Sequence, residues 1–154
     1  SKKLIILKAF TKLYGMAGVR LGYCLCSDTE LLARMRAAGQ PWAVSSLAQA
    51  AGIAALDETE YVAKVRALIE AQRPVLADGL RALGLRVIEG RANYLLFRAP
   101  EALGEALRRK GAVLRSCGNY PGLDASWYRT AVRTENENRQ LLALLAETLP
   151  EVAQ

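Results

Sequence analysis

Apolar residues come in two short runs near the start of the chain. Residues 3–10, KLIILKAF, are nearly continuous in hydrophobicity, and residues 20–26, RLGYCLC, form the second run. Both predict strands. The lack of alternation in the first predicts burial on both faces, as in a parallel sheet. A loop containing Gly15 and Gly18 separates them. The period then changes. SDTELLARMRAA opens on the cap-type residues Ser27 and Asp28, carries acid in its first turn and reads as a helix ending at Gly39, ahead of Gln40-Pro41. VSSLAQAAGIAALDE is rich in small residues and reads as a helix with Leu47, Ala48, Ala51, Ala55 and Leu56 on or near one face. Such a helix packs closely against a neighbour. A long helix follows over roughly 58–83, with Tyr61, Val62, Val65, Leu68, Ile69, Leu76, Leu80 and Leu83 at near-helical period. Pro74 predicts a kink or a fresh start within it.

After Gly84 strands and helices alternate. LRVIE and NYLLFRA predict short strands around Gly90-Arg91-Ala92, and PEALGEALRRKG a helix with proline at its start and glycine past its end. AVLRSC and WYRTAVR predict two more strands, separated by the turn-rich GNYPGLDAS. TENENRQLLALLAETL closes as a helix capped near Thr134 or Glu135. The fold class is α/β. Residues 1–26 read as the end of one sheet and 85–154 as a compact α/β unit, with the long helix joining them.

Composition narrows the chemistry. The chain has 154 residues, 52% hydrophobic and 23% charged, a soluble globular profile without a run long enough to span a membrane. No signal peptide is visible, and the absence of an initial Met reads as a cut N-terminus. The net charge is +6, with arginines interleaved with acids along amphipathic helices, which reads as a solvated surface and not a nucleic-acid face. The three cysteines, Cys24, Cys26 and Cys117, make an odd count, with Cys24 and Cys26 on the same side of a strand. Buried, reduced thiols in a cytoplasmic protein are expected, with Cys117 passive for want of an adjacent base. There is no histidine. A zinc site lacks ligands, and Ser-His or Cys-His nucleophiles are excluded. Acid–base work falls to Lys, Tyr, Cys or a carboxylate.

The stretch TKLYGMAGVRLGY, residues 11–23, carries the candidate chemistry. A lysine amine attacks an aldehyde well when desolvation or a nearby positive charge favours its neutral form. Lys12 directly follows an apolar strand, and Arg20 lies eight positions on. Gly15 and Gly18 let the chain turn back, so that both side chains can serve one small site. Thr11 adds a hydroxyl. Arginine plus hydroxyl suits a phosphate monoester, and a lysine beside it points to pyridoxal 5′-phosphate held as a Schiff base on Lys12. On spacing alone, an exposed loop lysine stays open as the alternative.

The same stretch resembles the cofactor-lysine motif of fold-type I pyridoxal-phosphate enzymes, the class I/II aminotransferases: Ser/Thr-Lys, an aromatic-containing loop, then Ala/Pro-Gly-x-Arg-x-Gly-Tyr. The resemblance continues through QPWAVSSLAQAAGIAAL, ANYLLFR, LRSCGNYPGL and WYRTAVRTENENRQLL, essentially the whole chain. It is similar to the branch holding histidinol-phosphate aminotransferases and threonine-phosphate decarboxylases. Pro41-Trp42 and NYPGLDASWYRTAVRTENEN look more like the decarboxylases; the aminotransferases are expected to carry Pro-Tyr-Asn at the former.

The resemblance implies roles. Lys12 would bear the cofactor and shuttle protons. Thr11 and Arg20 would bind its phosphate. Arg129 would pair with the substrate's carboxylate or phosphate, Arg115 would help bind a phosphorylated substrate, and Asn93 would line the pocket. It also implies domains: 1–40 the C-terminal remnant of the large cofactor-binding domain, 41–84 linking helices, and 85–154 the small α/β domain. A small-molecule phosphorylated amino acid or amino alcohol would be the substrate. A cytoplasmic homodimer would be the parent, with no metal, nucleic acid or membrane partner. Two departures stand out. Ala9 replaces the Ser or Thr usual three positions before the lysine, removing one phosphate contact. Only 11 residues precede Lys12, so the chain reads as a C-terminal portion that binds cofactor weakly alone. The alternative is a non-catalytic α/β binding or assembly module that keeps the fold only.

Overall fold

A computed structural model describes residues 4–152. The chain is mixed α/β and divides into two compact units, residues 1–65 and 66–154.

The first unit holds β1 (Ile6–Ala9), β2 (Gly22–Leu25), α1 (Thr29–Ala38) and α2 (Ser46–Asp57). The two strands form an antiparallel ribbon, Ile6 opposite Leu25 and Ala9 opposite Gly22. This corrects the expectation of a parallel strand buried on both faces. Residues 10–21 contain no crossover helix, so the chain returns antiparallel. All four β1 residues are exposed, because β1 has no strand neighbour but β2 among the described residues. Asp28 caps α1 by accepting the Leu31 N–H at 2.9 Å, and Ser45 caps α2 through the Ala48 N–H at 3.1 Å. The buried face of α2 is Ala48, Gly52 and Ala55, at i, i+4 and i+7. Leu47 and Leu56, expected on that face, are instead exposed. Small residues face inward because the helix approaches closely: a Cβ on Gly52 would lie 2.3 Å from a Leu21 methyl.

The helix α3 (Thr59–Ala82) runs through Pro74 as one helix, so of the expected kink or fresh start the fresh start is corrected. Proline there forgoes the bond to the Glu70 carbonyl, and burial of Leu76, Ala77 and Leu80 just beyond holds the segment helical. In the second unit the sheet contains β3 (Arg86–Ile88), β4 (Tyr94–Arg98), β5 (Arg115–Ser116) and β6 (Trp127–Ala131). It is antiparallel in the order β3-β4-β6-β5. The predicted AVLRSC strand shrinks to the two residues of β5. The helices α4 (Leu103–Arg109) and α5 (Glu135–Val152) complete the unit.

One face of this sheet is closed. Leu95 and Phe97 of β4 and Tyr128 of β6 join Leu76, Leu80, Leu103, Leu107 and Leu145 in one core. The Tyr128 hydroxyl donates to the Glu101 carbonyl at 2.6 Å, fixing β6 against the start of α4. Thr134 and Glu137 form a capping box at α5: the Thr134 N–H donates to Glu137 Oε2 at 3.2 Å, and the Glu137 N–H to Thr134 Oγ1 at 3.4 Å. Lys110 donates to Glu147 at 2.8 Å and Glu151 at 2.7 Å, and these bonds hold its ammonium above the usual lysine range. Among the described residues, no helix is long and apolar enough to cross a membrane. Cys117 is buried as expected, whereas Cys24 and Cys26 are only half-buried.

Candidate active site

The β1–β2 register continues one step beyond the strands. Phe10 N–H donates to the Leu21 carbonyl at 3.1 Å. Thr11 and Arg20 are the next residues outward, and Lys12 follows Thr11. The ribbon therefore delivers a hydroxyl, an amine and a guanidinium to the same end. The Met16 N–H bonds back to the Phe10 carbonyl at 3.2 Å and the Gly15 N–H to the Lys12 carbonyl at 3.2 Å, folding the connecting chain on itself.

Two residues make that fold possible, and one of them was not expected. Gly15 has φ +66°, where glycine meets no Cβ clash. Gly18 does not adopt this conformation; Arg20 does, with φ 54°. A left-handed arginine costs about 1 kcal/mol or more and persists where its surroundings over-determine it. Arg20 Nη1 donates to the Ala17 carbonyl at 3.2 Å, which fixes one end of the guanidinium. Lys12 and Arg20 are exposed and Thr11 is half-buried. Neither Lys12 nor Arg20 pairs with a carboxylate among the described residues.

Phe10 anchors this end of the ribbon. It is buried, stacks on Tyr14 at 5.0 Å and tilts against Tyr23 at 5.8 Å. The aromatic residues flanking the motif thus pack around Phe10. Gly22 lets the strands close up: a Cβ there would sit 2.8 Å from the Lys8 carbonyl oxygen.

The second group of candidate residues lies on the small sheet. Arg115 of β5 stands directly opposite Arg129 of β6, and Arg129 in turn opposite Leu96 of β4. Tyr128 and Thr130 flank Arg129 and are buried, so alternation puts Arg129 on the sheet's other face. Arg86 and Arg98, a facing pair, share that face. Arginines do lie along the helices among acids, as expected, and β-register gathers four more on one sheet face. Arg98 bonds Ser126 Oγ at 2.9 Å and lies 3.8 Å from Asp124. The Ser126 hydroxyl and N–H on Asp124, with Arg98 a lesser influence, hold that carboxyl below the usual range. Arg115 and Arg129 have no carboxylate partner among the described residues. The Arg129 guanidinium instead lies 4.6 Å from the centre of the Tyr94 ring.

Asn93 precedes β4, and its carbonyl accepts the Val132 N–H at 2.9 Å. Its side chain is exposed. The structure thus brings Thr11, Lys12 and Arg20 to one ribbon end, and Arg115 and Arg129 side by side on one sheet face. Asn93 lies three residues along the chain from Leu96, Arg129's partner.

Known proteins now place the chain. Residues 1–145 match the family of class I and II aminotransferases. The chain belongs to that family. Curated aminotransferase-family relatives include the threonine-phosphate decarboxylase of Salmonella typhimurium, 38% identical over 96% of this chain and 42% of that protein. The histidinol-phosphate aminotransferase of Symbiobacterium thermophilum is 39% identical over 96% of this chain and 41% of that protein. The chain spans about two fifths of the length of these relatives. The solved histidinol-phosphate aminotransferase from Clostridium acetobutylicum superposes with a TM-score of 0.91 and 31% identity, covering 97% of this chain and 47% of that one. The L-threonine-O-3-phosphate decarboxylase from Porphyromonas gingivalis gives a TM-score of 0.84 and 26% identity, over 97% and 47%. The fold is therefore that of fold-type I aminotransferases over the length of this chain.

Sequence reasoning missed Tyr94 and Asn138 in this aminotransferase-family chain. Asn138 is buried; its Oδ1 accepts the Arg133 N–H at 3.1 Å and its Nδ2 donates to the Arg133 carbonyl at 3.0 Å, tying the chain after β6 to α5. Its only sequence signal is a polar residue at a core-facing helical position. For Tyr94 the signal is alternation in YLLFR, obscured by apolar residues on both faces.

Proposed function

We propose that this chain carries the cofactor lysine and the substrate-anion arginines of a pyridoxal-phosphate-dependent enzyme. Its substrate would be a phosphorylated amino acid or amino alcohol. The observation carrying this reading is the ladder bond from Phe10 to Leu21, which aligns Thr11-Lys12 with Arg20. An amine, a guanidinium and a hydroxyl at one ribbon end, free of carboxylate partners among the described residues, fit an aldehyde that bears a phosphate. The related histidinol-phosphate aminotransferase from Sinorhizobium meliloti was solved in complex with pyridoxal-5′-phosphate, with a TM-score of 0.74 and 25% identity.

When bound, that cofactor supplies an electron sink for breaking a bond at the substrate's Cα. Lys12 Nζ would attach it and hold or move the proton at that carbon. Arg20 and Thr11 would bind its phosphate, with Ala9 contributing no hydroxyl. Arg129 and Arg115 would fix the substrate's carboxylate or phosphate, and so decide which bond is presented for cleavage. The parent would be a homodimer whose large domain precedes the small one. Pro41-Trp42 favours a decarboxylase over a transaminase. Trp42 itself is 97% exposed, with φ 60°.

The test is titration of the chain with pyridoxal phosphate by visible absorbance, followed by borohydride reduction and peptide mapping, with Lys12→Ala as control. Saturable binding that traps on Lys12 and disappears in the control is the expected result. Trapping spread over surface lysines would favour a non-catalytic module that keeps only the fold.

A further inference from the structure

We propose that Tyr94 is a positioning residue that sets the Arg129 guanidinium for an anion. The inference rests on the reading of Arg129 as the substrate-anion arginine. Tyr94 faces Ala131 across β4 and β6, and Arg129 is two residues from Ala131 on the same face. The two are diagonal neighbours, a spacing that aromatic and long side chains bridge. Alanine at position 131 leaves the ring room to lean toward Arg129, and the guanidinium carbon sits 4.6 Å from the ring centre. Nothing else orients this arginine among the described residues: it makes no side-chain hydrogen bond and no ion pair.

The geometry has a chemical consequence. An aromatic ring engages a guanidinium through its π-face. The N–H donors lie in the guanidinium plane, and a carboxylate or phosphate binds along that edge. Tyr94 can therefore hold Arg129 without consuming the donors an anion needs, which a carboxylate partner would do. Arg115 stands directly opposite Arg129, and neither pairs with a carboxylate among the described residues. An arriving anion would meet two guanidiniums, one of them already restrained.

The experiment uses the 154-residue chain with inorganic phosphate as probe, at fixed ionic strength, followed by NMR of the arginine Nε–H signals. Tyr94→Leu is expected to weaken phosphate binding at Arg129 by about two- to five-fold, the range of a cation–π contact at an exposed site. It should also remove the ring-current shift of Arg129 in the phosphate-free protein. Tyr94→Phe keeps the ring and should bind as the wild type does. Thermal melts of all variants separate this from unfolding. Tyr94→Leu that melts like wild type and binds phosphate equally, while Arg129→Ala loses binding, would overturn the role of Tyr94 and leave the anion site standing. Arg129→Ala binding as well as wild type would overturn the anion site itself, and the role of Tyr94 with it.

Discussion

The ribbon that carries Lys12 and the sheet that carries Arg129 are built on opposite principles. The sheet has four strands, one face closed by a core in which Phe97, Leu103, Leu107 and Leu145 are fully buried. Its arginines stand on the other face, over a floor that cannot shift without opening the core. The ribbon has two strands, an exposed β1 and one large buried side chain, Phe10. Its Lys12 end is held by backbone bonds, one stacked aromatic group and two left-handed residues. The same chain thus mounts one set of groups on packing and the other on local chain geometry. Packing fixes side chains on a rigid support, whereas a short ribbon gains definition only from what adjoins it.

The largest effect should come from breaking the sheet's core. Phe97→Ala is expected to cost about 3–5 kcal/mol in urea unfolding, as removal of a fully buried aromatic does. A loss under about 1 kcal/mol would mean the core relaxes and the contrast with the ribbon is overstated. Asn138→Ala should cost about 1–3 kcal/mol, because it leaves the Arg133 N–H and carbonyl without their partner. Equilibrium unfolding monitored at Trp127 would measure it; a neutral result would mean water takes over both bonds.

The cap of α5 offers a smaller handle with a pH signature. The Thr134 hydroxyl and N–H, aided by Arg133, hold the Glu137 carboxyl below its usual value of 4.5. The folded value is depressed, so the stabilisation is present above the unfolded value and lost as pH falls through the folded one. Thr134→Ala should cost about 1 kcal/mol at neutral pH. It should also shrink the part of the acid destabilisation due to Glu137; equal acid sensitivity in both proteins would refute the box as its source. The smallest effect belongs to the ribbon. Leu7 is 75% exposed, and Leu7→Ala should change stability by less than about 0.5 kcal/mol. A larger loss would show that β1 is covered in solution, and hydrogen exchange of the β1 amides would locate the cover.

Much of this was legible from residue order. The helices α1, α2, α3 and α5 lie close to their predicted spans, because capping residues and a 3.6-residue period are local signals, whereas α4 starts at Leu103, three residues past Pro100, without a side-chain cap. The β4 and β6 strands were equally plain. The exposure of β1 is not legible in its sequence, because a continuous apolar run reports what a strand could be packed against, not what lies beside it. On α2, Ala48 and Ala55 turn inward as expected, but Gly52 and not Leu47 or Leu56 joins them, because size wins over hydrophobicity where Leu21 and Phe10 come close.

For the candidate site, residue order alone shows which chemistry is present: one lysine in a motif-like loop, a nearby arginine, no histidine, and arginines at Arg115 and Arg129. Those facts are fixed by side-chain type and spacing. The three-dimensional fold adds that Arg115 and Arg129 are direct neighbours, that Arg20 as well as Gly15 takes a left-handed conformation, and that Tyr94 lies on Arg129. Each follows from strand register or from backbone closure between residues distant in the chain. A one-residue slip of β6 would send Arg129 to the opposite face, away from Arg115 and Tyr94.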